Sequence, residues 1–184
     1  MHDLRTRLRA ATAEEHRRTE DGFAAGLSAL SASGGVQSYG TFLETHARAF
    51  PAVGRALDFG LAWAPWRDRW HALQSDLAAL DRDQPPALSL TPAASRAEAL
   101  GMAYVLEGSR LGSTVILRNV PAGLPDAYLR AGLDRAPWHR LLALLETVVS
   151  ADQPAAIDGA HSAFRAFQQA AARQAAARIL EPQA

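Results

Sequence analysis

Gly101, Gly108 and Gly112 lie seven and four residues apart in an apolar segment that otherwise favours a helix. At about 100° per residue, the three glycines fall within roughly 40° of one another and leave a stripe without side chains. Each glycine costs about 1 kcal/mol of helix stability relative to alanine, so three on one face require a compensating contact. That contact is either a closely packed second helix or a flat or bulky ligand that approaches the backbone.

The residues around Gly108 bear on this choice. Residues 103–112 read Ala-Tyr-Val-Leu-Glu-Gly-Ser-Arg-Leu-Gly. This run resembles the distal helix of the biliverdin-producing heme oxygenases, in particular the bacterial, bacteriophytochrome-associated type. The family also has a proximal histidine on its first helix in a leucine, threonine and histidine context, and residues 8–16 contain Leu8, Thr12 and His16 in that order. The resemblance implies a single-domain, all-α helical bundle with heme between the first helix and the glycine-rich distal helix.

The resemblance also implies roles for individual residues. His16 is expected to ligate the heme iron, for which a neutral imidazole is a common axial ligand. Arg9 lies about two helical turns, roughly 10 Å, before His16 and is expected to bind a heme propionate together with Tyr104. Gly108 and Gly112 are expected to let the helix backbone lie over the heme face and direct O2 towards one meso carbon.

Ser109 stands where many relatives have an aspartate that orders the water for proton delivery. A serine hydroxyl can hold a water but does not buffer a proton. Arg110 is expected either to assist through water or to face solvent, and Ser113 to narrow the pocket slightly.

The remaining candidates are bulkier side chains. His46 is the reserve candidate for iron ligation because it lies among aromatic residues. The side chains expected to line the pocket wall without a catalytic role are Trp138, Leu142, Phe164 and Phe167. The other histidines, which match no motif of the family, are assigned structural roles: His2, His71, His139 and His161.

The implied reaction is the oxidative cleavage of heme to biliverdin with release of iron and carbon monoxide. Heme is both substrate and cofactor, and O2 is the co-substrate. The chain has no Gly-x-Gly-x-x-Gly fingerprint, so electrons are expected from a separate protein such as a ferredoxin or a flavoprotein reductase. A phytochrome that accepts the bilin is a further candidate partner.

Two alternatives remain open at this point. Ser109 in place of an acid is compatible with a relative that binds heme or a bilin without turning it over. The glycine stripe is also compatible with a helical interaction module that packs against a partner helix and binds no tetrapyrrole.

Composition agrees with a helical domain. The chain has 184 residues, 48% of them hydrophobic, which is enough for one core and predicts one domain over residues 1–184. Its 19 basic residues are all arginine and balance 19 acidic residues, and they form no stripe, which argues against a nucleic-acid partner. The chain has no cysteine, which excludes thiolate ligation of heme. No membrane span or signal core is visible, so a cytoplasmic location is expected.

The helix pattern places these residues. We predict a first helix over residues 3–19, a short helix over 23–30, and a third helix from Ser38 that Pro51 kinks or restarts. Residues 81–92 are too rich in proline for an interior helix and predict a surface linker. Ser95 and Glu98 form a capping box that starts the glycine-striped helix, which is expected to end near Asn119. Two further helices are predicted over residues 136–149 and 154–180.

Overall fold

The computed structural model describes residues 3–28 and 35–180. All regular structure in these two ranges is helical, so the all-α prediction is confirmed. A 3₁₀ turn, Ser150–Asp152, directly precedes the last helix. The α-helices are α1 (Leu4–Ala11), α2 (Ala13–Ser28), α3 (Gly35–Asp58), α4 (Pro65–Ala79), α5 (Arg96–Leu117), α6 (Ala127–Ala131), α7 (Ala136–Glu146) and α8 (Gln153–Leu180).

The first predicted helix is interrupted at Thr12, where the backbone leaves helical geometry at φ −103° and ψ 10°. The Thr12 hydroxyl donates to the Leu8 carbonyl over 2.8 Å, a local bond that competes with regular helix geometry. Beyond this break α2 runs without interruption to Ser28, so the prediction of a separate short helix near Phe23 is wrong. Residues 29–34, where that helix was expected to end in a loop, lie outside the described residues.

Pro51 lies inside α3 and neither ends nor restarts it. Because Pro51 and its neighbours on the helix are buried in the core, tertiary packing outweighs the hydrogen bond that the proline removes. The predicted linker is confirmed, since residues 81–94 contain no helix. It is nevertheless fixed to α3, because Leu88 and Ala93 donate backbone N–H groups to the Arg48 and Ala56 carbonyls over 2.8 and 3.0 Å.

The glycine-striped helix α5 begins where the capping box predicts. Ser95 Oγ accepts a hydrogen bond from the Glu98 amide over 3.1 Å, and the Glu98 carboxylate accepts one from the Ala94 amide over 2.7 Å. Helix α5 packs against α3, α7 and α8, and α8 also contacts α1 and α2. Helix α8 therefore supports both the segment that carries His16 and the segment that carries the glycines.

Two details of the second half differ from the prediction. Helix α7 ends at Glu146, three residues before the predicted end. The five-residue helix α6 was not predicted, because its periodicity is too short to read from sequence. Among the described residues, no helix is long and apolar enough to cross a membrane.

Candidate active site

The three glycines of α5 have different surroundings. A Cβ atom placed on Gly101 would lie 1.8 Å from the carbonyl oxygen of Ala156 on α8, and one on Gly159 would lie 2.0 Å from the Glu98 carbonyl oxygen. Each helix thus supplies a glycine where the backbone of the other comes closest. Of the two explanations left open for the glycine stripe, close packing of a second helix is therefore the correct one for Gly101.

Gly108 and Gly112 face open space instead. A Cβ on Gly112 would meet no atom of the described residues within 4 Å, and the nearest atom to a Cβ on Gly108 is Trp138 Cζ3 at an ordinary 3.8 Å. Packing among the described residues therefore does not account for the absence of a side chain at these two positions. The site has room for a flat group against the α5 backbone here.

Arg5 and Arg9 of α1 lie beside Tyr104, one helical turn before Gly108. Burial raises the pKa of the Tyr104 hydroxyl, and the positive charges of Arg5 and Arg9 oppose that rise. The Trp138 ring lies 5.7 Å from the Tyr104 ring and 5.9 Å from the Arg5 guanidinium. Arg9 is thus near enough to Tyr104 for its charge to act on the hydroxyl, and Arg5, which no sequence motif indicated, acts in the same way.

His16 is exposed on α2, with 59% of its side chain accessible to solvent. Its Nδ1 atom lies 3.2 Å from the Glu20 carboxylate, one turn further along the helix, and its ring packs edge-on against Phe164 of α8 at 6.0 Å. The preceding residue, Glu15, lies 2.7 Å from Nδ1 of His161 on α8. Contacts with α8 therefore hold this part of α2, while the His16 ring stays accessible to a ligand.

The Ser109 hydroxyl already has two partners. It donates to the Leu106 carbonyl over 2.7 Å and accepts from Nη1 of Arg69 over 2.9 Å. Arg69, on α4, also donates to the Leu106 carbonyl over 3.1 Å and is buried, with its guanidinium 4.8 Å from the Tyr128 ring centroid. Sequence reasoning missed Arg69 because its partners lie about forty residues further along the chain.

Arg110 and Ser113 do not take the positions expected of them. Arg110 neither faces solvent nor reaches the open glycine face, because it is buried and forms an ion pair with the buried Glu107. Ser113 is also buried and packs against Gly132, whose Cβ would lie 2.2 Å from the serine Oγ. Both side chains therefore belong to the packing between α5 and the loop before α7.

His46 is a poor reserve candidate for iron ligation. It is buried among the rings of Phe42, Tyr128 and Phe167, and its Nδ1 lies 2.9 Å from the Phe42 carbonyl oxygen. Burial lowers the pKa of His46 to about 4. This imidazole is thus a neutral core residue. His71 and His139 are exposed on the surface, which is compatible with the prediction that neither ligates the iron.

Comparison with known proteins identifies the family and the fold. A heme oxygenase from Xanthomonas campestris pv. campestris (strain 8004) is 38% identical over 154 residues, which cover 76% of this chain and 92% of that protein. The chain belongs to the heme oxygenase family. The solved NO- and CO-bound heme oxygenase from Neisseria meningitidis has the same fold, with a TM-score of 0.67 at 19% identity over 100% of this chain and 96% of that one. No protein-family model matches the chain.

In the present chain, three features lie on helices that pack against α7 or α8. They are the open glycine face on α5, Arg9 beside Tyr104, and the accessible His16 ring on α2. The arrangement offers one imidazole, a cationic edge and a backbone surface without side chains. These are the features needed to ligate a metal in a flat, anionic macrocycle, to bind its carboxylates and to cover its face.

Proposed function

We propose that heme binds between the His16 side of α2 and the open face of Gly108 and Gly112 on α5. The reaction is that of the family, in which heme is oxidatively opened to biliverdin with release of iron and carbon monoxide. The chain is therefore an enzyme, and heme is its substrate as well as its cofactor. The observation that carries the placement is the contrast within α5. The backbone of α8 occupies the space beside Gly101, whereas no described atom occupies the space beside Gly112.

His16 is the proposed iron ligand. Its Nδ1 atom faces Glu20 at 3.2 Å, so a proton on Nδ1 would be held by that carboxylate. A histidine whose one nitrogen is bound in this way presents the other, Nε2, to a metal in a fixed orientation. Glu20 is consequently proposed to select the tautomer and the ring orientation of His16.

Arg9 and Tyr104 are the proposed propionate ligands, and Arg5 is added to them from the structure. The two arginines carry the positive charge that two propionates require, and a guanidinium can hold a carboxylate through two parallel hydrogen bonds. Trp138 lies beside Arg5 and Tyr104 and would limit how far the macrocycle can slide between them.

When bound, heme supplies the iron at which O2 is reduced and the ring carbon that is oxidised. Gly108 and Gly112 contribute by steric means, since their bare backbone confines the space above the ring. A hydroxyl has one donor and two acceptor positions, so Ser109 keeps one acceptor position after its bonds to Leu106 and Arg69. We propose that Ser109 holds one water there, while its main contact is Arg69.

The partners of the reaction are proposed on the basis of chemistry and resemblance. Electrons come from a separate reductant, a ferredoxin or a flavoprotein reductase. The proposed location of the enzyme is the cytoplasm. A bilin-accepting phytochrome is proposed as the recipient of biliverdin, because the distal segment resembles the phytochrome-associated branch of the family.

A hemin titration followed by turnover tests the proposal. We expect a saturable one-to-one Soret spectrum, which decays when ascorbate or a reductase is added in air, with biliverdin identified by chromatography. Catalase in the assay removes free peroxide, so that only enzyme-directed oxidation counts. A stable Soret band under reduction would indicate a heme- or bilin-binding protein without turnover. The absence of saturable binding would indicate an interaction module.

A further inference from the structure

A buried ion pair brackets Gly108 on the distal helix. Glu107 and Arg110 are 0% and 2% exposed, and the carboxylate of Glu107 pairs with Nε of Arg110. The other carboxylate oxygen accepts a hydrogen bond of 2.8 Å from the indole of Trp63, which lies in the α3–α4 connection. Glu107 thereby ties the glycine-containing turn to a part of the chain more than forty residues earlier.

Arg110 ties the same turn to the α6–α7 loop, residues 132–135. Its Nη1 atom donates to the carbonyl oxygen of Ala131, the last residue of α6, over 2.6 Å and reaches that of Asp134 at 3.5 Å. One turn further along α5, Arg135 of the loop donates to the Thr114 hydroxyl over 3.1 Å. Side chains on both sides of Gly112 therefore fix this loop.

The loop leads directly into α7, whose third residue is Trp138. Trp138 is the residue nearest to the position of a Gly108 side chain, and it is buried beside Tyr104. The position of the loop consequently sets the distance between the Trp138 ring and the open glycine face.

Stability alone is a weak explanation for such a pair. Removing two charges from water costs about as much as their attraction returns, and apolar residues of similar volume often serve the fold equally well or better. The turn does have a particular need for fixed geometry, because Gly108 and Gly112 each lower its intrinsic helix stability relative to alanine.

We propose that Glu107 and Arg110 are positioning residues that hold residues 107–112 and the α6–α7 loop in register, so that the glycine face keeps one width beside Trp138. They touch neither heme nor O2 and act through the backbone of Gly108 and through Trp138. The inference rests on the proposed function, since the width of this face matters there as the space above the heme.

The test replaces the pair by apolar residues, Glu107→Leu with Arg110→Met, and measures amide hydrogen exchange of the heme-free protein. We expect exchange within residues 106–113 to become about tenfold faster or more, because the turn loses its anchors. The melting temperature is expected to fall by about 5 °C, because the buried Trp63 indole N–H loses its acceptor on Glu107, while loss of the ion pair itself adds little to that cost. In the hemin-loaded protein the mixture of biliverdin isomers should broaden.

The matched control is Glu44→Leu with Arg82→Met, an ion pair of 2.7 Å between α3 and the linker. Glu44 and Arg82 belong to α3 and the linker and not to α5 or the α6–α7 loop. Removal of this pair should therefore leave exchange in residues 106–113 and the isomer ratio unchanged. Arg110→Lys is the second variant. It keeps a charge opposite Glu107 but lacks the Nη1 group that donates to the Ala131 and Asp134 carbonyls, so exchange should increase in residues 131–135 first.

Exchange in residues 106–113 within about twofold of the parent protein, with an unchanged isomer ratio, would overturn the proposal and leave the pair a packing feature. The proposal is equally overturned if the Glu44 and Arg82 control accelerates exchange in residues 106–113 to the same extent. If the double variant does not fold, Arg110→Lys decides: unchanged exchange in residues 131–135 together with an unchanged isomer ratio would overturn the proposal. Failure of the parent protein to open heme would overturn the proposed function separately, because the exchange measurement needs no heme.

Discussion

The two halves of helix α5 both contain glycine, but the glycines have opposite surroundings. Near its start, Gly101 lets the backbone of α8 approach so closely that a Cβ would lie 1.8 Å from a carbonyl oxygen. Further along the helix, a Cβ on Gly112 would meet no described atom within 4 Å. A glycine stripe thus indicates close approach, and only the surrounding structure tells whether protein or ligand makes the approach.

Gly101→Ala should have the largest effect on folding. The added methyl group meets a backbone carbonyl rather than a flexible side chain, so α5 and α8 must separate, and we expect a loss of about 3 kcal/mol or more in the free energy of unfolding. Urea denaturation measures it. Gly112→Ala is the matched control and should be neutral or stabilising by up to about 1 kcal/mol, since helix propensity rises and space is free. Equal losses in the two variants would abolish the distinction.

Gly112→Leu should have the largest effect on activity. Its side chain would fill the open face, so biliverdin formation is expected to fall about 100-fold or more, the equivalent of about 2.7 kcal/mol, while the melting temperature stays the same or rises. Val115→Leu, at an exposed position of the same helix, should leave both unchanged. If Gly112→Leu lost stability and activity together, helix packing would explain this glycine too.

Arg9→Ala should have an intermediate effect at the edge of the site. Arg9 is exposed, so one charge-assisted contact with a propionate is worth about 1 kcal/mol, and hemin affinity should fall about fivefold. Loss of this anchor should also broaden the mixture of biliverdin isomers. Hemin titration and chromatography of the products measure the two effects. Arg17→Ala, which removes an exposed arginine paired with Glu14, is the control. Unchanged affinity and isomer ratio would remove Arg9 from the site.

Ser109→Ala should have the smallest effect. The hydroxyl is bonded to Arg69 and Leu106, and the Arg69 guanidinium keeps the Leu106 carbonyl as acceptor after the change. We expect single-turnover decay of the Soret band to slow about threefold or less, with a loss of about 1 kcal/mol in stability. A fall of several orders of magnitude in that rate would show that the hydroxyl is essential to proton delivery.

The pattern of apolar residues predicted the long helices α3, α5, α7 and α8, because spacing and capping are local properties that the sequence carries. The capping box at Ser95 placed the start of α5 correctly, whereas the break at Thr12 depends on one side-chain bond that a periodic pattern does not show. The site divides in the same way. The sequence resemblance singled out Arg9 and Tyr104, and in the structure the Arg9 charge acts on the Tyr104 hydroxyl. It could not find Arg69 or the burial of Arg110, because both depend on contacts between distant elements.

The central claim, that heme is held by His16 opposite the open glycine face, is tested most directly by the hemin spectrum of His16→Ala. We expect a folded variant, because His16 is exposed, with the histidine-ligated Soret spectrum and turnover lost and the spectrum restored by added imidazole. His139→Ala, which removes another exposed histidine, should match the parent protein. An unchanged spectrum and full turnover in His16→Ala would contradict the assignment of His16 as the iron ligand.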